Sequence, residues 1–496
     1  MLEIKDLSIS INDRYLVKHL SLTLNKKDKL AIIGEEGNGK STLLKAILGI
    51  CEYARIEGSI NYKNNKIGYL EQSLIYSGKV FDFIFDSEED YYSKTGDLYK
   101  YLDVFNLKES VLDKRINNLS GGEKVKIGLL KLLLNKCDIL LLDEPTNDLD
   151  IKTLEWLETF INNAEIPIIY VSHDETLLSN TASSILHLEQ IKDKTECRHT
   201  LLKIDYDTYV NNRIRKLEKQ TQIAKSEKRE YRVHQEKLQR IMQKVEYQQN
   251  NISRSDPHGA QVLKKKMHSL KSQEKKLKNM VLTDIPDVEE GINFFFEDVK
   301  IPNNKIIIEL HIPTLAVNNI VLAKNIKLDI RGNEHICIIG QNGVGKSTLL
   351  KYIYNELKDR DDIIVGYMPQ NYSDSLDMFD KVLDYICPNK SKENITKART
   401  LLSAMNITPD EMTSKIEYLS NGTKAKLLLA KLVLDKCNVL ILDEPTRNVS
   451  PLSNPIIRSA LKAFNGTIIS VSHDRKYLSE VINKLYELTF NGLNLR

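Results

Sequence analysis

At 496 residues and 57.0 kDa the chain exceeds one ordinary domain, and about three are expected. Its 41% hydrophobic and 28% charged residues suit a globular protein, and no run approaches the ~18 uncharged apolar residues of a membrane-spanning helix. Formal net charge is only +3, and the six cysteines are scattered singly with no CxxC pair, so zinc modules and disulfide frameworks are not expected.

The N-terminus MLEIKDLSIS alternates apolar and polar residues as a strand does, and lacks the basic start and apolar core of a signal peptide. A cytoplasmic location follows as the expectation. Leu30 to Ile33 reads as a buried parallel strand and Thr42 to Leu48 as a helix. Between them, residues 34–41 read GEEGNGKS, the GxxxxGK[ST] pattern of a phosphate-binding loop. Glycines let backbone N–H groups turn toward phosphates at a helix N-terminus, which already favours anions. Lys40 would reach the β- and γ-phosphates of ATP, and Ser41 would ligate Mg²⁺. Further on, the apolar run Ile139 to Leu142 ends in Asp143-Glu144. A buried strand ending this way places Asp143 to hold Mg²⁺ and Glu144 to polarise an attacking water.

From Asn211 to Met280 the chain has one proline and one glycine, in Asp256-Pro257-His258-Gly259. Before them, Ile214, Leu217, Ala224, Tyr231, Leu238, Ile241 and Val245 recur at mostly heptad spacing; after them, Leu263, Met267, Leu270 and Leu277 do the same. Two helices meeting along an apolar seam, with a turn at Asp256 to Gly259, are expected. The first, from about Tyr206 to Asn250, would run roughly 65 Å. Residues 211–280 hold 19 Lys and Arg against 7 Asp and Glu, a net +12 that leaves about −9 for the rest of the chain. Such a rod calls for a polyanion, and its lack of an aromatic-rich sheet or a zinc pattern favours contact with nucleic-acid backbone over base reading.

The last third repeats the first. GQNGVGKS at 340–347 answers GEEGNGKS, LSNGT at 419–423 answers LSGGE at 119–123, and VLILDEPT at 439–446 answers ILLLDEPT at 139–146. VSHD stands at 171–174 and again at 471–474. Intervals agree too: Ser120 to Glu144 and Ser420 to Glu444 both span 24 residues, and each glutamate precedes its histidine by 29. Two homologous domains are expected.

LSGGE between the phosphate loop and the Asp-Glu strand resembles the signature of ATP-binding cassettes. Two cassettes, no transmembrane segment and Asn147-Asp148-Leu149-Asp150 resemble the ABC-F family in particular. The resemblance implies an α/β fold of two tandem ABC-type P-loop ATPase domains joined by a long antiparallel α-helical hairpin, with cassettes at 1–200 and 286–496 and the hairpin at 201–285. It implies a monomer whose cassettes pair head to tail, each ATP lying between one phosphate loop and the other signature. Carried over by motif, nucleotide contacts fall to Gly34, Gly37, Asn38, Gly39, Lys40, Ser41, Thr42, Gln72, Ser120, Gly121 and Gly122. Their counterparts are Gly340, Gly343, Val344, Gly345, Lys346, Ser347, Thr348, Gln370, Ser420 and Gly422. Mg²⁺ falls to Ser41, Gln72 and Asp143, and to Ser347, Gln370 and Asp443; catalysis falls to Glu144, His173, Glu444 and His473. The family acts on the ribosome, where the hairpin enters the tRNA exit site of the large subunit and presents its tip to rRNA and peptidyl-tRNA. That tip corresponds to about Tyr247 to Lys266, and Arg240, Lys244, Arg254, His258, Lys264, Lys265 and Lys266 become the RNA-contact candidates.

Gln72 to Ser120 spans 48 residues and Gln370 to Ser420 spans 50, so the first cassette carries no insertion relative to the second. That resembles the antibiotic-resistance branch, which protects the ribosome by displacing drugs from the peptidyl-transferase centre. A housekeeping translation factor is the alternative, and the soluble ATPase subunit of a drug exporter the alternative of another class. An ATP-dependent DNA-repair or chromosome protein would more naturally carry zinc modules or a far longer coil. The second signature, LSNGT, and Ser450 in place of aspartate depart from the pattern. Both would face the first phosphate loop, so unequal hydrolysis, faster at the Lys346 and Glu444 site, is expected. Ile11 and Val317 stand where an aromatic ring usually stacks on adenine, so base selectivity is expected to be loose.

Overall fold

The computed structural model describes residues 2–12, 14–147, 149–191, 195–251, 257–278, 294–296, 301–317, 320–388 and 391–496. Arg254 and Asp148 lie outside them. The chain divides into two compact units, residues 1–207 with 289–496, and residues 208–288.

In the first unit each cassette is built on a six-stranded sheet. The order in cassette one is Ile67–Leu70, Ile139–Asp143, Ile168–Val171, Lys29–Ile33, Ser184–Ile191, Glu196–Leu202, all parallel except the last. Cassette two repeats it with Val365–Met368, Val439–Asp443, Thr467–Val471, His335–Ile339, Lys484–Thr489, Gly492–Leu495. Lys29–Ile33, Ile139–Asp143 and Ile168–Val171 are buried at every position, as strands covered on both faces must be. The strand Glu196–Leu202 carries the first cassette fold past residue 200. A separate antiparallel sheet, Arg14–Leu24 with Leu2–Ile11 with Arg55–Asn61, covers the helix Lys40–Leu48, and Leu7, Ile9, Leu43, Leu44 and Ile47 share one buried cluster. Cassette two matches it with the hairpin Ile306–Val317 and Ile320–Arg331.

Cassette one meets cassette two through buried charges. Arg458 Nη1 lies 2.5 Å from Glu175 Oε1, Lys476 Nζ lies 3.2 Å from Glu175 Oε2, and Arg475 pairs with Glu158.

The second unit holds two helices, Tyr206–Asn250 and Pro257–Lys278. Of the turn expected at Asp256 to Gly259, Asp256 lies outside the described residues and the rest is not a turn. Pro257, His258 and Gly259 are helical, with Pro257 at the first helical position, where the missing N–H costs nothing. The seam also shifts. Ala224, Val245 and Leu270 are buried, whereas Ile214 and Ile241 are exposed. Met242 takes the place expected of Ile241, because Tyr231, Gln235, Leu238, Met242, Val245 and Gln249 alternate steps of four and three without a break. Leu263, Met267, Leu270, Glu274 and Leu277 keep the same alternation on the second helix. Among the described residues no helix is long and apolar enough to cross a membrane.

Candidate functional site: two nucleotide cavities between the cassettes

Each phosphate loop leaves the middle of its sheet and ends on a helix whose N-cap is a glycine in the left-handed region, Gly39 at φ 89° and Gly345 at φ 99°. Gly34 and Gly340 are required for another reason. A Cβ there would lie 2.2 Å from Leu188 O and 2.4 Å from Leu488 O. Lys40 Nζ donates to the carbonyls of Gly34 (2.8 Å) and Glu35 (3.0 Å), and Lys346 Nζ to those of Gly340 (2.8 Å) and Gln341 (3.0 Å). Both ammonium groups are thus drawn into the ring of backbone N–H groups that a phosphate would fill.

The carboxylates stand at the ends of the neighbouring strands. Ser41 Oγ donates to Asp143 Oδ1 at 2.9 Å, and Tyr69 OH to Asp143 Oδ2 at 3.0 Å. Glu144 and Glu444 both adopt positive φ, 49° and 54°, a conformation rare for glutamate that turns each side chain off the strand end. Their environments then diverge. His173 Nε2 lies 3.0 Å from Glu144 Oε1, whereas His473 Nε2 lies 3.9 Å from Glu444 Oε1. Burial pushes the Glu144 carboxyl up, but His173 and the Lys40 charge outweigh it and the net shift is downward. Burial, reinforced by Asp443, pushes Glu444 up to about 8. Burial also raises Asp143 and Asp443.

Two cavities contain most of the sequence-derived residues. The first, about 550 Å³, is lined by Gly37, Gly39, Lys40, Ser41, Thr42, Gln72, Glu144 and His173, and by Asn448 from cassette two. The second, about 430 Å³, is lined by Gly343, Gly345, Lys346, Ser347, Thr348, Gln370, Asp443, Glu444 and His473, and by Gly121, Asn147 and Leu149 from cassette one. Ser120 and Gly122 line an adjoining cavity of about 390 Å³ with Gln341 and Asn342.

Seven expected contacts line none of these three cavities, Asp143, which is held by Ser41 and Tyr69, among them. Gly34 and Gly340 are packed against carbonyls. The Asn38 side chain is buried and donates to Leu188 O at 2.9 Å, so it braces the loop, and Val344 packs near Gly340. Ser420 and Gly422 do not line the first cavity either: Ser420 caps its helix, and the Gly422 N–H is taken by the Glu36 carboxylate. At the base end, Ile11 lines the first cavity as expected, joined by Arg14, but Val317 does not line the second, where Leu322 stands. Tyr69, Arg14, Glu35 and Glu36 went unnoticed in the sequence. The adjacent glutamates where the second loop has Gln341-Asn342 were the available signal.

The donor set fits a hard divalent cation. It consists of a serine hydroxyl, a glutamine amide and buried aspartates, and Asp443 Oδ1 has no hydrogen-bond partner among the described residues.

The family model described as ABC transporter matches residues 17–147 and 323–447. The ATP-binding protein Uup of Buchnera aphidicola (subsp. Acyrthosiphon pisum) is 30% identical, over 99% of this chain and 81% of that protein. The ribosome protection protein VmlR of Bacillus subtilis is 30% identical over 98% and 86%, and ABC transporter F family member 2 of Arabidopsis thaliana 26% identical over 99% and 76%. Among solved structures, the archaeal ribosome recycling factor aABCE1, in complex with the stalk protein aP1, matches with TM-score 0.59 at 17% identity, covering 96% of this chain and 86% of that one, which is a likeness of fold. With the cassette model matching both halves and relatives of this similarity running nearly end to end, the chain belongs to the ABC-F family of ATP-binding cassette ATPases.

Proposed function

We propose that the chain is an ATP-gated ligand of the ribosome that protects it from antibiotics of the peptidyl-transferase centre. The observation that carries this reading is the helical arm between the cassettes. Residues 211–280 carry a net charge of +12, and on the two helices Arg240, Lys244, His258, Lys264, Lys265 and Lys266 are exposed. An arm of that charge has a use against rRNA and tRNA phosphates and none in an exporter subunit. A 30% identical relative named as a ribosome protection protein supports the finer part of the reading. A general translation factor remains the second reading, because Uup is equally similar and bears no such name.

At each site the glycine loop and Lys40 or Lys346 would bind the phosphates of ATP. Ser41, Gln72 and Asp143, and likewise Ser347, Gln370 and Asp443, would hold Mg²⁺. When bound, the cation would neutralise phosphate charge and favour the ionised form of the buried aspartates. Glu144 and Glu444 would orient the attacking water and take its proton, and His173 and His473 would contact the γ-phosphate. ATP and water become ADP and phosphate. Closure on ATP would set the arm in the tRNA exit site, and hydrolysis would release the protein.

The Glu144→Gln, Glu444→Gln variant should bind ATP without turning over and sediment with ribosomes in ATP. Absence from the ribosomal pellet would sink the reading. Sensitivity to a panel of peptidyl-transferase drugs, with and without residues 248–262, then separates protection from general translation. Protection predicts that resistance is lost on deletion.

A further inference from the structure

The two phosphate loops differ where they face the opposite signature helix. In cassette two the signature helix Asn421–Leu434 begins after Ser420, and its Gly422 N–H donates to the Glu36 carboxylate of the first phosphate loop. Four residues on, Lys426 Nζ donates to Glu35 Oε2 at 2.9 Å, and Ser453 Oγ donates to Glu35 Oε1 at 2.7 Å. Lys426 is only 6% exposed and the Glu35 side chain 17%, so the pair is shielded from solvent screening. Only glycine fits at 422, since a Cβ would lie 2.7 Å from Asn448 O and 3.0 Å from Glu36 Oε2.

The other pairing is built from different residues. Glu35 and Glu36 are replaced by Gln341 and Asn342, and the facing signature helix Gly121–Leu134 carries its own acid, Glu123, in a capping box with Ser120. Lys126, the counterpart of Lys426, donates instead to Phe105 O at 2.8 Å and lies over the Trp156 ring. In cassette two the capping-box acid is replaced by Thr423. The helix that has lost its own carboxylate therefore receives one in trans, at the N-terminus where a negative charge is most stabilising.

We propose that Glu35 and Glu36 act as a built-in stand-in for nucleotide at the first site. Glu36 takes the signature N–H that a γ-phosphate would take, and Glu35 with Lys426 and Ser453 holds the cassettes together there without ATP. ATP at the first site must displace Glu36 and so binds more weakly than at the second. This rests on the reading of both cavities as ATP sites. Burial pushes Glu35 up, but the charge and hydrogen bond of Lys426 prevail, which keeps the carboxylate ionised for the contact.

Two measurements on the full chain test this. In equilibrium dialysis, ATP should show one tight and one weaker class of site. Glu35→Gln with Glu36→Asn, which gives the first loop the neutral pair of the second, should tighten the weaker class about tenfold, a typical coupling between sites. Equal classes in the unaltered chain, or a weak class unmoved by the double substitution, would overturn the proposal. The second measurement needs no variant. A zero-length carbodiimide should join Glu35 to Lys426 in the nucleotide-free chain, detected as a cross-linked peptide by mass spectrometry; its absence would also overturn the proposal. ATP bound at neither site would instead overturn the ATPase reading, and the cross-link still decides the contact.

Discussion

Glu144 and Glu444 occupy equivalent strand ends, yet two effects set their sites against each other. A carboxyl at about 8 is ionised in roughly a quarter of molecules at pH 7.5, a loss of about fourfold in available base. The missing trans contact at the first site weighs more. Removing one preorganised donor to a developing charge costs on the order of 10²- to 10³-fold, and there the Gly422 N–H can serve ATP only in molecules from which Glu36 has been displaced. The second site, which has Gly121, Asn147 and Leu149 on its wall, is therefore expected to dominate. Glu444→Gln should lower steady-state ATP turnover at least tenfold, and Glu144→Gln by no more than about threefold, if the donor effect governs. The reverse order of losses would show that the charge state of the base decides the rate.

At the scale of elements, the arm separates what is packed from what is offered. The four-and-three alternation buries Ala224, Val245 and Leu270, and it leaves Lys264, Lys265 and Lys266 exposed beside Leu263 and Met267. Replacing the three lysines by glutamine should leave ATP turnover without ribosomes unchanged and weaken ribosome binding. If each contacts a phosphate, the slope of log affinity against log salt should become shallower by about 2 to 3. An unchanged slope would show that these three lysines contact no phosphate. The arm was legible in the sequence because heptad spacing and charge are local properties. Proline and glycine together suggest a break at Pro257 to Gly259, yet those residues open a helix, because proline is also favoured at a helix's first turn.

For the whole molecule, the buried charges around Arg458 join the segments that follow the two VSHD motifs. Arg458 is 3% exposed, and it contacts Glu175 across the cassettes and Glu480 within its own. Arg458→Ala would strand a buried carboxylate, which typically costs about 3 to 5 kcal/mol; Lys476, still 3.2 Å from Glu175, argues for the lower end. Denaturant unfolding should show the loss, and Arg458→Met with Glu175→Gln should lose less than Arg458→Ala alone. A change below about 1 kcal/mol would mean that water or a neighbour replaces the arginine at little cost.

The sequence by itself determined the duplication, the phosphate loops, the Asp-Glu strands and the basic arm, because each is written in residues close together in the chain. Glycine and lysine spacing, an apolar run with two acids, and heptads all report local geometry. Only the tertiary structure decided which loop faces which signature in detail, and that Glu36 and Gly422, 386 residues apart, share a hydrogen bond. It also decided that the carboxyls of two matched glutamates are shifted in opposite directions, Glu144 down and Glu444 up. Those properties depend on burial and on partners brought from the other half of the chain, and nothing at neighbouring positions records them.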